Sequence, residues 1–212
     1  MTPYSTYNTY SYADSPQPTP QEALDLLLQG NVRFVHSASI HHQNHNDRRR
    51  ELLDHQRPFA IILSCSDSRV PAEIIFDCGL GDLFVVRTAG HTLDKAVLGT
   101  IEFGISVLKA PLLVVLGHQN CGAVEAALHA YAKQDANSSV IGSLLNEIYP
   151  AIDACGSEPS VNRVMEYNTH LTAKKILSMD STIAARAAGT FGVVCATYSF
   201  ESGLIQVLEE NL

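Results

Sequence analysis

The chain has 212 residues, of which 46% are hydrophobic and 17% charged, enough apolar material for one globular domain with a sizeable core. Its net charge of −8 argues against nucleic acid as a partner, because a phosphate backbone calls for clustered Lys and Arg. No apolar run reaches the ~20 residues that cross a bilayer, so no membrane partner is expected. The opening stretch, MTPYSTYNTYSYADSPQPTP, lacks the basic and apolar regions of a secretory signal. It reads as a disordered leader over 1–18, followed by a single domain over 19–212 in a cytoplasmic protein.

Thr19, Pro20 and Glu22 predict a capped helix start. Thr at the cap, Pro at the first helical position and Glu three after the cap make a capping box. Leu24, Leu27 and Leu28 then share one face. The stretch HSASIHHQNHNDRRR reads as an exposed connection, with His41, His42 and His45 in a solvated loop and DRRR (47–50) as another solvated piece. Four short apolar runs follow, FAIILS (59–64), LFVVR (83–87), LLVVLG (112–117) and FGVVCATYS (191–199). Each is bounded by turn residues, as buried strands are. Helical patterns lie between and after them: PAEIIFD, DKAVLGTIEFGISVL, GAVEAALHAYAKQ, SVIGSLLNEIYPAI and SVNRVMEYNTHLTAKKILSM. Strands alternating with helices predict an α/β fold, a central mostly parallel sheet flanked by helices. FESGLIQVLEE adds an antiparallel edge strand through a hairpin at Ser202-Gly203.

Five cysteines and no secretory signal do not make a disulfide framework. Cys78 and Cys195 read as core thiols, and Cys155 as an incidental thiol near a helix end. The other two fall where ligands bind in an open parallel sheet, beyond the carboxyl ends of the strands. Cys65, Asp67 and Arg69 follow AIIL. If the chain stays extended, the two-residue period puts them on one side. Gly117, His118 and Cys121 follow LLVVL. There Gly117 permits a sharp turn, and H-x-x-C at a helix start puts His118 and Cys121 on one face. Two thiolates and an imidazole are a soft set that suits zinc. Three protein ligands leave the fourth tetrahedral position to water or to Asp67, as in a catalytic site.

The motifs CSDSRVPAE (65–73), GDLFVVRTAGH (81–91), VLGTIEF (97–103) and VVLGHQNCGAV (114–124) resemble the β-class carbonic anhydrases, over residues 24 to about 208. The resemblance implies that fold, one Zn2+ per chain on Cys65, His118 and Cys121, and an Asp67–Arg69 dyad beside it. It implies reversible hydration of carbon dioxide to bicarbonate by zinc-hydroxide attack, with an off state in which Asp67 leaves Arg69 and ligates the metal. It also implies a homodimer or homotetramer. Alignment on the motifs places Gln56, Phe84, Ala89, Phe103 and Gly122 in the substrate pocket, with Gln56 reaching across a dimer interface. Ala89 and Phe103 stand where plant-like members have Val and Tyr. Members with an inhibitory bicarbonate site carry a Trp three residues before the first ligand cysteine; here that residue is Ile62 and the chain has no Trp. Arg87 matches that site's Arg position but alone reads as structural, so the inhibitory site is expected to be missing. Two other readings use the same residues: a carbonyl sulfide or carbon disulfide hydrolase, and a non-catalytic zinc or thiol protein.

Overall fold

The computed structural model describes residues 16–40, 46–133 and 139–212. Most of the leader and His41, His42 and His45 lie outside the described residues. In chain order the elements are α1 (Pro20–Val35), α2 (Asn46–Glu51), β1 (Ala60–Cys65), α3 (Ala72–Ile75), β2 (Leu83–Thr88) and a 3-10 turn at Ala89–His91. They continue with α4 (Lys95–Ser106), β3 (Leu112–His118), α5 (Gly122–Ala132), α6 (Val140–Asn146) and α7 (Tyr149–Cys155). The last are α8 (Val161–Leu177), α9 (Asp180–Ala187), β4 (Gly192–Tyr198) and β5 (Ile205–Asn211).

The strands form one sheet in the order β2-β1-β3-β4-β5. The first four run parallel and β5 returns antiparallel to β4. Every residue of β1, β3 and β4 is buried, because helices cover both faces, and this is why those strands read as continuous apolar runs. On one face, Ile62, Val114 and Val194 pack on α1 and α3 through Leu24, Leu27 and Ile75. On the other, Ile61, Leu63 and Val115 meet Val97 and Ile101 of α4 and Ile176 of α8. A third cluster, built from α5, α7 and α8, closes around Cys65 and Cys121.

The capping box is present: Glu22 N–H donates to Thr19 Oγ1 at 3.2 Å, and Thr19 N–H donates to the Glu22 carboxylate at 2.8 Å. Gly203 takes a positive φ of 71° in the β4–β5 hairpin. Several expectations are corrected. The run expected as one helix over 139–152 is split into α6 and α7, with Pro150 in the first turn of α7; without an N–H, Pro cannot continue the preceding helix. Helix α9 follows α8 where the sequence reading placed no element. The DRRR segment lies in α2 rather than in a solvated loop, and Arg48 pairs with Asp82 at 3.0 Å and donates to Leu80 O at 3.1 Å. Cys155 is only 5% exposed and packs in the third cluster, so it is a core thiol.

Gly117 does not make a turn. It lies inside β3, where an added Cβ would come within 2.3 Å of Met165 Sδ on α8; the glycine permits the close approach of helix to strand.

Asn31 ties α1 to the end of α3 and to the β4–β5 hairpin. Its amide donates to Ile75 O at 3.2 Å and Gly203 O at 2.8 Å, and its carbonyl accepts from Ile205 N–H at 2.9 Å. The side chain is buried, so Asn31→Ala would leave these groups short of partners, at an expected cost of about 2–4 kcal/mol. Urea unfolding of wild type and variant measures it; a loss below about 0.5 kcal/mol would contradict the bridging role.

Candidate metal centre

Cys65 ends β1 and His118 ends β3, two strands that lie side by side. The chain leaves β1 for β2 on one side of it and returns for β3 on the other. That reversal opens a crevice at the carboxyl ends of the two strands. Cys121, the cap residue of α5, completes the group. The three ligand atoms all lie within 4.8 Å of one another, with the two sulfurs 4.0 Å apart, and the three residues are buried. His118 and Cys121 meet across a turn in which Asn120 has a φ of +51°, rather than on a helix face as expected from their spacing.

His118 Nδ1 lies 2.9 Å from Gln119 O. That contact places a proton on Nδ1, and the other nitrogen, Nε2, is buried with no hydrogen-bond partner among the described residues. A buried acceptor left open beside two thiols is costly on its own and fits a soft cation. Cys65 Sγ also accepts from Asp67 N–H at 3.4 Å and Gly90 N–H at 3.3 Å. The hydrogen bond with Cys121 pulls the Cys65 thiol well below its ordinary range, and the backbone donors add to this. The same contact, followed by burial, pushes Cys121 up. The two sulfurs are in hydrogen-bond contact at 4.0 Å, and a divalent ion would let both ionise.

Asp67 stands apart from this group. Arg69 Nε donates to its Oδ1 at 2.9 Å and Arg69 Nη2 to its Oδ2 at 2.7 Å, a bidentate pair. The Arg69 side chain holds the Asp67 carboxyl well below the usual carboxylate range against the opposing effect of burial. Of the four residues read from the sequence as metal-side ligands, three therefore converge, while the fourth is held by its arginine. The two partners meet through a turn, closed by Val70 N–H to Asp67 O at 3.0 Å and Arg69 N–H to Asp67 Oδ1 at 2.9 Å. The extended alternation expected for 65–69 does not continue past the strand end.

Two further residues hold the turn. Arg87 on β2 donates from Nε to Cys65 O at 3.0 Å and from Nη2 to Asp67 O at 2.6 Å, the structural role its isolation from a Trp suggested. Phe200, after β4, was not singled out from the sequence. The Arg69 guanidinium carbon sits 4.1 Å from its ring centroid, and the His118 ring is 5.2 Å away. An aromatic face under a cation stabilises it where it lies. Its only sequence signal is an aromatic residue just beyond the carboxyl end of a buried strand.

The expected pocket residues do not all gather at this centre. Ala89 opens the 3-10 turn whose Gly90 contacts Cys65, and Gly122 starts α5, where an added Cβ would meet nothing within 4 Å. Phe84 and Phe103 meet each other at 6.2 Å between ring centroids. Phe84 packs with the α4-side cluster, and Phe103 is 44% exposed. Gln56 is exposed in the connection between α2 and β1.

His91, also unremarked in the sequence, is fully buried. Its Nε2 lies 3.0 Å from Asn168 Nδ2, and burial pulls its pKa down from 6.5 to about 4. The unfolded chain thus takes up this proton at higher pH than the folded one. The resulting stability is present above pH 6.5 and is lost as pH falls towards about 4, by up to about 3 kcal/mol. Urea unfolding at pH 6.5 and 4.5 should show a smaller acid loss in His91→Gln than in wild type; equal losses would exclude His91 as a source.

This architecture is that of the β-carbonic anhydrases. The β-carbonic anhydrase of Coccomyxa, solved with acetazolamide, superposes with a TM-score of 0.70 at 23% identity, covering 88% of this chain and 87% of that one. A tetrameric β-carbonic anhydrase of Sordaria macrospora gives 0.70 at 23% identity, covering 91% and 98%. The sequence comparisons are more specific. The carbonic anhydrase family model matches residues 60–205. A carbonic anhydrase of Mycolicibacterium smegmatis is 42% identical over 196 residues, 91% of this chain and 95% of the relative. The chain belongs to the carbonic anhydrase family.

Proposed function

We propose that the chain interconverts carbon dioxide and bicarbonate with one zinc ion held by Cys65, His118 and Cys121. The observation that carries this reading is the buried, partnerless Nε2 of His118 beside two thiols, with an ionised Asp67 held off them by Arg69. Bound there, zinc would lower the pKa of a water in its fourth position and supply a nucleophile near neutral pH. Because two thiolates neutralise the ion's charge, the protein must assist.

Asp67 provides that help as a hydrogen-bond and proton acceptor. Arg69 occupies both carboxylate oxygens and keeps Asp67 from filling the fourth ligand place itself. Phe200 and Arg87 hold the Arg69 and Asp67 ends of this pair. The Asp67–Arg69 pair supports the active one of the two expected states; Asp67 turned to the metal would be the off state.

Gln56, Phe84, Ala89, Phe103 and Gly122 form the apolar slot for carbon dioxide only if a second copy contributes some of them. The exposure of Phe103 and Gln56 supports such a contact, as does the tetrameric assembly named for the Sordaria relatives. We therefore assign a homodimer or homotetramer, and we further propose a cytoplasmic enzyme whose single domain is residues 19–212 behind a leader over 1–18. Among the described residues no helix is long and apolar enough to cross a membrane.

Stopped-flow hydration of carbon dioxide, with zinc content measured on the same samples, tests the roles. Asp67→Asn should keep as much zinc per chain as wild type and lose roughly 100-fold or more in rate, the scale of a positioned proton acceptor. Cys65→Ser should lose the metal itself. An Asp67→Asn enzyme as fast as wild type would remove Asp67 from the mechanism. A full zinc complement in wild type with no hydration would move the chemistry to linear sulfur analogues of carbon dioxide.

A further inference from the structure

A second cluster of ligating atoms stands outside this centre. A ring nitrogen of His170, Cys195 Sγ and a carboxylate oxygen of Glu209 lie within 4.8 Å of one another. They come from three elements: α8, β4 and β5. Strict alternation along β5 would not bring Glu209 there, since Ile205 and Val207 pack into the α1-side cluster and Glu209 has the same parity. The register shows what turns it. Ala196 faces Val207, whereas Cys195 faces Glu209, so Leu208 is an extra residue in the ladder. Such a bulge re-aims the side chain that follows it, and here it puts the carboxylate on the α8 face, beside the cysteine.

The three groups differ in exposure in a way that suits an ion entering from solvent. Cys195 is 1% exposed, while the His170 and Glu209 side chains are 39% and 51% exposed. The imidazole and carboxylate already meet at 2.9 Å, and Asn211 Nδ2 orients the other carboxylate oxygen at 3.1 Å. Beside them lies a groove of about 400 Å³ lined by Ala173, Lys174 and Leu177 among others. Burial, and then Glu209, push the Cys195 thiol up to about 12, so a cation bound there must displace its proton. An exposed ion pair by itself contributes little, and the buried Cys195 Sγ otherwise makes a long contact to Thr169 O at 3.9 Å.

We infer that His170, Cys195 and Glu209 form a second site for a borderline-soft divalent cation, with Zn2+ as its natural occupant. One sulfur, one nitrogen and one oxygen match zinc. Calcium and magnesium, which favour oxygen ligands, are excluded. Occupation would pin the edge strand β5 to α8 and leave the fourth ligand place open to solvent.

The test is zinc content after equilibration of the metal-loaded enzyme against micromolar free Zn2+. Wild type should hold two ions per chain. His170→Ala and Glu209→Gln should each return to one ion while hydrating carbon dioxide within twofold of wild type. Cd2+ added to the one-zinc enzyme should give a further thiolate charge-transfer absorption that Cys195→Ser removes. Saturation of wild type at one ion, or a second ion that survives His170→Ala, would overturn the site.

Discussion

Two sulfurs and an imidazole nitrogen, buried within 4.8 Å of one another, set the geometry that the strand ends and the start of α5 must meet. Among the described residues nothing completes His118 Nε2, and the two sulfurs lie 4.0 Å apart with backbone N–H groups on Cys65. Such a group is unfavourable in a folded chain unless a cation resolves it. The fold meets the geometric demand by ending two neighbouring parallel strands at Cys65 and His118 and starting α5 immediately after Cys121. The buried strands beneath and the third apolar cluster around the cysteines then keep these ligands from relaxing apart.

Around that group the polar contacts are arranged by charge. Backbone N–H groups of Asp67 and Gly90 point at Cys65, where negative charge collects. The Asp67 carboxylate beside the Cys65–His118–Cys121 group is claimed by Arg69, and Arg87 grips the backbone carbonyls at either end of the Cys65–Asp67 segment. Phe200 lies against both Arg69 and His118, so the dyad and the ligand set share one aromatic wall. A disturbance of that ring would reach proton handling and metal holding together.

The parallel sheet, its edge hairpin and the two polar clusters at strand ends were legible in the sequence, because buried strands leave continuous apolar runs and ligands leave Cys and His. What could not be read was how the chain bends between them. The turn that folds Arg69 back on Asp67 and the positive φ at Asn120 are local conformations that period-two and helical spacing rules do not describe. Gly117 looked like a turn residue because close helix approach and a tight turn select the same amino acid. Arg48 looked solvated because its partner Asp82 is 34 residues away. Phe200 and His91 matter only through three-dimensional neighbours, and the bulge that turns Glu209 is invisible without the ladder register. The pocket residues Gln56 and Phe103 were read from family motifs, and a single chain leaves both on its surface.

The central claim is that the Cys65–His118–Cys121 group, once filled, is what makes the chain an enzyme. The most direct measurement is the carbon dioxide hydration rate while the first equivalent of zinc is restored stepwise to metal-free protein. The account predicts negligible turnover without metal and a linear rise that ends at one ion per chain. A metal-free protein that turns over at the full rate, or a rate that does not follow the first equivalent, would contradict it.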